Sequence, residues 1–271
     1  MNRIEKAFQN KKGSENDKSF QKNKAFIAFL TGGDPNIDTT EKLIYAMEEA
    51  GADLIEIGIP FSDPIAEGVV IQDANERALK VGCTTDSLFE LVSRIREKSQ
   101  IPLVFLTYIN PIYTYGKERF LQRCKEVGMD GIIVPDLPFE EKEELLPECE
   151  KHGITLISLI APTSKDRIQM IAKEAKGFIY LVSSLGVTGV RSNITTDIDS
   201  MINEVRKVTN VPCAIGFGIS TTSQASEYAK KADGVIVGSS IVRIIETHGE
   251  DSIPKVYVYI KEMKDAITNK N

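Results

Sequence analysis

The chain has 271 residues, of which 42% are hydrophobic and 27% charged, and its formal net charge is −6. That is enough chain to bury one large core, and the acidic balance leaves no basic surplus to neutralise the phosphates of a nucleic acid. The longest apolar runs, such as Ala25–Leu30, fall far short of a membrane span, and the N-terminal stretch lacks the apolar run of a signal peptide, so a cytoplasmic location is expected.

In chain order, short apolar strands alternate with helices. Ile4, Ala7 and Phe8 stand at helical spacing and predict a short amphipathic helix within residues 1–10, followed by a polar linker to residue 24. The first strand is Ala25–Thr31. Gly32-Gly33-Asp34-Pro35 breaks it, Asn36 can cap the next helix, and Leu43, Ile44 and Met47 form that helix's apolar face up to a stop at Gly51. Strand 53–57 leads through a long loop to a helix with Leu88, Leu91, Val92 and Ile95. Strand 102–107 leads through a Tyr-rich loop, Tyr108–Gly116, to a helix with Phe120, Leu121, Cys124 and Val127. Strand 131–135 precedes an acidic helix near 139–151, and strand 154–160 precedes a helix with Ile168, Ile171 and Ala175. Strand 178–182 leads to Ser183–Asn193 and a helix with Ile198, Met201, Ile202 and Val205; strands 211–215 and 234–237 complete the series with helices near 221–231 and after Ser239.

Eight strand–helix units imply parallel strands and close as a (β/α)8 TIM barrel, a single α/β domain over 1–271 with an extra N-terminal helix. A doubly wound open sheet is the alternative. The lack of a G-x-G-x-x-G turn after any strand speaks against it.

Cys83, Cys124, Cys149 and Cys213 form no C-x-x-C pair, so reduced core thiols are expected rather than disulfides or a metal site. His152 and His248 each sit beside a glycine at a helix end. Chemistry is therefore sought in carboxylates and tyrosines. Glu56 alternates with Leu54 and Gly58 on one face of its strand, and a buried carboxylate costs several kcal/mol unless something compensates it. Either it is an ordinary residue of a half-exposed edge strand, or it belongs to an active site, since active sites are where such burial is usually found.

Three late loops are rich in small residues: Gly186-Val187-Thr188-Gly189, Gly216-Phe217-Gly218-Ile219-Ser220 and Gly238-Ser239-Ser240. Glycines let backbone N–H groups approach an anion closely, and a helix starting at Ser239 would aim its positive dipole end at a phosphate. The same glycines could simply make tight turns. Arg191 and Arg243 lie nearby in sequence, the latter on a helix face expected to be solvated.

The blocks FLTGGDP (29–35), IEIGIPFSDPIAEG (55–68), TYINPIYTYG (107–116), DGIIVPDLPFEE (130–141), APTS (161–164), GVTGVR (186–191), GFGIS (216–220) and VGSSIV (237–242) closely resemble the tryptophan synthase alpha chain family, with the spacing preserved. The resemblance implies reversible retro-aldol cleavage of indole-3-glycerol phosphate to indole and glyceraldehyde 3-phosphate. It implies that Glu56 is the acid/base and that Tyr180 orients it. Glu67 stands where the family has an aspartate that holds the indole N–H, and Val69 where many relatives have proline. Phe29, Leu106, Tyr108, Ile133, Ile160 and Phe217 would line the substrate pocket. Thr188 falls in the family's mobile lid, and Gly189, Gly218, Gly238 and Ser239 match its phosphate binders. No metal and no cofactor of its own is implied. The implied partner is a beta chain in a heterotetramer of two alpha and two beta chains, docked near Asp63-Pro64, Asn110-Pro111 and Pro138, where Tyr113 and Tyr115 add aromatic surface. A self-sufficient indole-3-glycerol-phosphate lyase and a non-catalytic activator of a beta chain are the alternatives, and Glu67 is the feature that favours the latter.

Overall fold

The computed structural model describes residues 2–9, 24–182, 197–216 and 218–268. Among them, nine strands form one parallel sheet: β1 (Ala25–Thr31), β2 (Leu54–Gly58), β3 (Leu103–Leu106), β4 (Gly131–Ile133), β5 (Thr155–Leu156), β6 (Ser158–Ile160), β7 (Ile179–Val182), β8 (Cys213–Gly216) and β9 (Gly234–Val237). Neighbours run β5-β4-β3-β2-β1-β9-β8-β7-β6, a nearly closed (β/α)8 barrel. The expected fifth strand, 154–160, is divided at Ile157: its first half pairs with β4 and its second with β7. That break gives nine strands where eight were expected.

The helices follow the apolar periodicity. In α2 (Ile37–Ala50) the Asn36 side chain accepts the Thr39 N–H at 2.8 Å, Leu43, Ile44 and Met47 are buried, and Gly51 ends the helix at φ 107°. Two helices were not anticipated. α3 (Val69–Lys80) occupies part of the expected long loop; its buried face is Ile71, Ala74, Asn75 and Ala78, too small and polar to read as an apolar stripe. α5 (Ile109–Tyr115) replaces the Tyr-rich loop, with Pro111 in its first turn and the Ile109 N–H accepted by Asp136 at 3.0 Å. The acidic helix near 139–151 is a 3-10 segment, Phe139–Glu144, followed by α7 (Leu146–His152), because Pro147 starts a new helix. The others are α4 (Thr85–Arg96), α6 (Lys117–Val127), α8 (Lys165–Glu174), α9 (Ile198–Arg206), α10 (Thr222–Lys231), α11 (Ser239–His248) and α12 (Ile253–Thr268).

Odd and even strand positions divide the core. Ile27, Leu54, Val104, Ile133, Tyr180, Ala214 and Ile236 face inward, while Ala28, Ile55, Phe105 and Ile215 pack under the helices. The N-terminal helix α1 (Arg3–Ala7) plugs the lower mouth: Ile4, Ala7 and Phe8 join the inward cluster, with Phe8 and Phe178 ring centroids 5.5 Å apart. A single device recurs beneath the strands. Asp53, Asp130 and Asp233 each precede a strand and accept a backbone N–H from its neighbour: Phe26 at 2.8 Å, Leu103 at 2.9 Å and Cys213 at 2.9 Å. Each also holds a cation, respectively Lys264, the Arg3–Arg96 pair, and Arg206. The four cysteines are buried and none is in a disulfide. Among the described residues no helix is long and apolar enough to cross a membrane, and no group of three or more His, Cys, Asp or Glu could hold a metal ion.

Candidate active site

Glu56 lies in the inner wall of β2, a central strand flanked by Phe29 of β1 and Val104 of β3, which excludes the edge-strand reading. It is 1% exposed, and its Oε1 has no hydrogen-bond partner among the described residues. Desolvation alone pushes its carboxyl up from near 4.5 to about 8, so it carries a proton at neutral pH. Tyr180, buried on β7, is close enough to feel the Glu56 charge, and burial followed by that charge drives its hydroxyl well above the ordinary range. The ring needs Gly216 of β8: a Cβ there would stand 2.4 Å from the Tyr180 hydroxyl. Phe29 is placed in the same way between glycines, since a Cβ on Gly58 or Gly238 would come within 2.9 or 3.1 Å of its ring.

Glu67 reaches the same cavity from the loop before α3. It is 6% exposed, and its Oε2 accepts the Asn75 amide N–H at 2.8 Å. The Tyr108 hydroxyl also bonds to this carboxylate while accepting the Ala66 N–H at 3.0 Å. Burial raises Glu67 to about 7, and the Asn75 and Tyr108 bonds restrain the rise. Gln72 fixes the loop by donating to the Glu67 carbonyl at 2.7 Å. Burial and the Glu67 charge, in that order, raise the Tyr108 hydroxyl. Asn75 was not found from the sequence. The available signal was a polar residue on the otherwise apolar Ile71–Ala74–Ala78 face.

A cavity of about 1010 Å³ opens over these groups, lined by Phe29, Glu56, Glu67, Leu106 and Tyr180 and by Gly218, Gly238, Ser239 and Ser240 at one side. Gly218 has φ 75°, a conformation that suits glycine. α11 starts from Gly238 without a side-chain cap, and Gly238, Ser239 and Ser240 at its start line the cavity. Tyr108 is 2% exposed and acts on Glu67 rather than forming cavity wall. Ile133 belongs to the inward cluster but does not line the cavity. Ile160 must be corrected: it packs under the helices, because the two-residue alternation of β6 turns Leu159 inward instead. Thr188, Gly189 and Phe217, with Arg191 and the linker 11–23, lie outside the described residues. Arg243 is exposed on α11, as expected, and His152 and His248 stand at helix ends.

Fold and site together define a barrel enzyme with a buried carboxyl, a second acidic side chain and the start of a helix lining one cavity. The sequence profile of the family described as tryptophan synthase alpha chain matches residues 16–268. A tryptophan synthase alpha chain of Lactiplantibacillus plantarum is 51% identical over 92% of this chain and 94% of its own, and one of a Thermoanaerobacter species is 46% identical over 98% and 100%. The crystal structure of tryptophan synthase subunit alpha from Legionella pneumophila superposes with a TM-score of 0.87 at 35% identity, covering 100% of both chains. A chain of the tryptophan synthase a2b2 complex of Pyrococcus furiosus does so with 0.81 at 37% identity, over 88% and 97%. This chain belongs to the tryptophan synthase alpha chain family, the lyases of tryptophan biosynthesis.

Proposed function

We propose that Glu56 and Glu67 divide the work of cleaving indole-3-glycerol phosphate into indole and glyceraldehyde 3-phosphate. Indole is a poor carbanion, so its C3 must take a proton before the bond to C1′ of the side chain breaks. Glu56, protonated at neutral pH, supplies that proton. Positive charge then develops on the ring nitrogen, and the Glu67 carboxylate, held by Asn75 and Tyr108, accepts its N–H. As the C3–C1′ electron pair returns to the ring, the C1′ hydroxyl gives its proton to Glu56 and the aldehyde forms. Tyr180 keeps the Glu56 carboxyl against the substrate. Gly218, Gly238 and Ser239 receive the phosphate with uncapped N–H groups of α11. The observation that carries the reading is Glu56, an inward carboxyl raised to about 8 in a large cavity. Thr188 as a closing residue, Gly189 as a phosphate binder and Phe217 as pocket wall rest on the family resemblance.

The partner is a beta chain, in a heterotetramer of two alpha and two beta chains in the cytoplasm. Exposed Ile65, Val69 and Tyr113, near exposed Asp63, Asn110 and Pro138, supply an apolar patch for it above the strand ends. The test is indole release from indole-3-glycerol phosphate, by wild type and Glu56→Gln, each with and without a beta chain. Slow release alone, strong stimulation by the partner and near-complete loss in Glu56→Gln are expected. No release from the wild type in either condition would leave a binding subunit. Full activity without the partner would make the chain self-sufficient.

A further inference from the structure

The cavity over Glu56 touches residues that a closed barrel wall would keep apart. Ile157 and Leu159 face the barrel interior, whereas Leu156 packs among the helix-side residues, yet all three line this one space. Successive residues of a strand point to opposite faces of its sheet, so the cavity crosses the wall. It does so where the ladder is interrupted, between β4–β5 and β6–β7, at the division of the fifth strand. Outside the wall the space continues between α7 and α8, against Leu146 and Ile171.

The rim there is polar but balanced. Lys142 pairs with Glu174, Arg167 with Glu140, and Lys176 with Glu150 at 2.7 Å, so each pair spans the cleft from the α7 side to the α8 side. Three cations against three anions leave no net charge to select an ionic ligand. Exposed pairs of this kind contribute little to stability and are little obstacle to opening. The walls beneath are aliphatic, with Ser158, on the helix-side face of its strand, as a hydroxyl partner for one N–H.

We propose that this lateral chamber binds a small uncharged aromatic heterocycle, separately from the carboxylate pocket, and admits it between α7 and α8. The choice of indole as occupant rests on the proposed reaction, which releases it into the adjoining space. The test is equilibrium dialysis of labelled indole against the full chain, together with a Leu146→Phe/Ile171→Phe variant that fills the chamber far from Glu56. The wild type should bind two indoles per chain. The variant should bind one, its second affinity weakened roughly tenfold or more, with indole release from indole-3-glycerol phosphate unchanged. One equivalent in the wild type, or two of unchanged affinity in the variant, overturns the proposal. Should the variant fail to fold, a wild-type crystal soaked in 4-bromoindole decides: bromine density between α7 and α8 supports the chamber, and density only beside Glu56 overturns it. Loss of the proposed reaction would appear separately, as no indole released by the wild type with a beta chain.

Discussion

Glu56 is a destabilising residue that the proposed mechanism requires. Its carboxyl keeps its proton in the fold up to about pH 8, while the unfolded chain releases it near 4.5. The folded state therefore binds more protons between those values, and stability falls as pH rises through that window. Glu56→Gln removes the group at nearly constant shape. We expect the variant to match the wild type near pH 4 and to exceed it by a few kcal/mol above pH 8, at about 1.4 kcal/mol per pH unit of separation. Denaturant unfolding at pH 4.5 and 8.5 checks this, and an equal difference at both values would refute it. Glu56 was legible as a candidate because alternation put it on one strand face. That its Oε1 finds no partner among the described residues was not, since that depends on residues from other strands. Asn75 was hidden for the same reason: only the fold of α3 brings it to Glu67.

Elements place these groups through glycines at close strand approaches. Gly216 is the clearest case, because its missing side chain is occupied by the Tyr180 ring. Gly216→Ala is expected to displace Tyr180, lower kcat by at least roughly tenfold and destabilise the barrel by about 1–3 kcal/mol, as overpacking does. Adding Tyr180→Leu, which removes the hydroxyl and the two ring carbons that stand 2.4, 2.5 and 2.6 Å from the new Cβ, should restore part of the stability without restoring kcat. Measured Tm and kcat for the wild type and the two variants decide the matter, and a fully active single variant would refute it. Most elements could be read from the sequence because Leu, Ile and Phe mark their buried faces. α3 and α5 could not, since the first buries Ala and Asn and the second begins across a proline. Nor could the division of the fifth strand, which follows from how β4 and β7 pair rather than from any breaker at Ile157.

For the whole molecule, the lower end is built for stability and the upper end for chemistry. The N-terminal helix seals the lower mouth, where Ile4 is completely buried against the glycines at 131 and 177. Ile4→Ala should cost about 2–5 kcal/mol of stability, the usual range for such a truncation, and leave kcat unchanged in denaturant-free assays. A large fall in kcat at unchanged stability would contradict this division. The upper end instead leaves, among the described residues, a helix without a side-chain cap, an unpartnered carboxyl oxygen and a large open cavity.

The two upper carboxyls make opposite demands on pH. In the proposed mechanism Glu67 must be ionised to accept the indole N–H, and Glu56 must be protonated to start the reaction. The pH dependence of kcat/KM reports these groups in the free enzyme. Measured for indole release in the presence of a beta chain, it should be a narrow bell. Its acid limb should fall near 7, from Glu67, and its alkaline limb near 8, from Glu56. A profile that stays flat through pH 9, or an alkaline limb in the ordinary carboxylate range, would contradict a buried, protonated Glu56 as the acid.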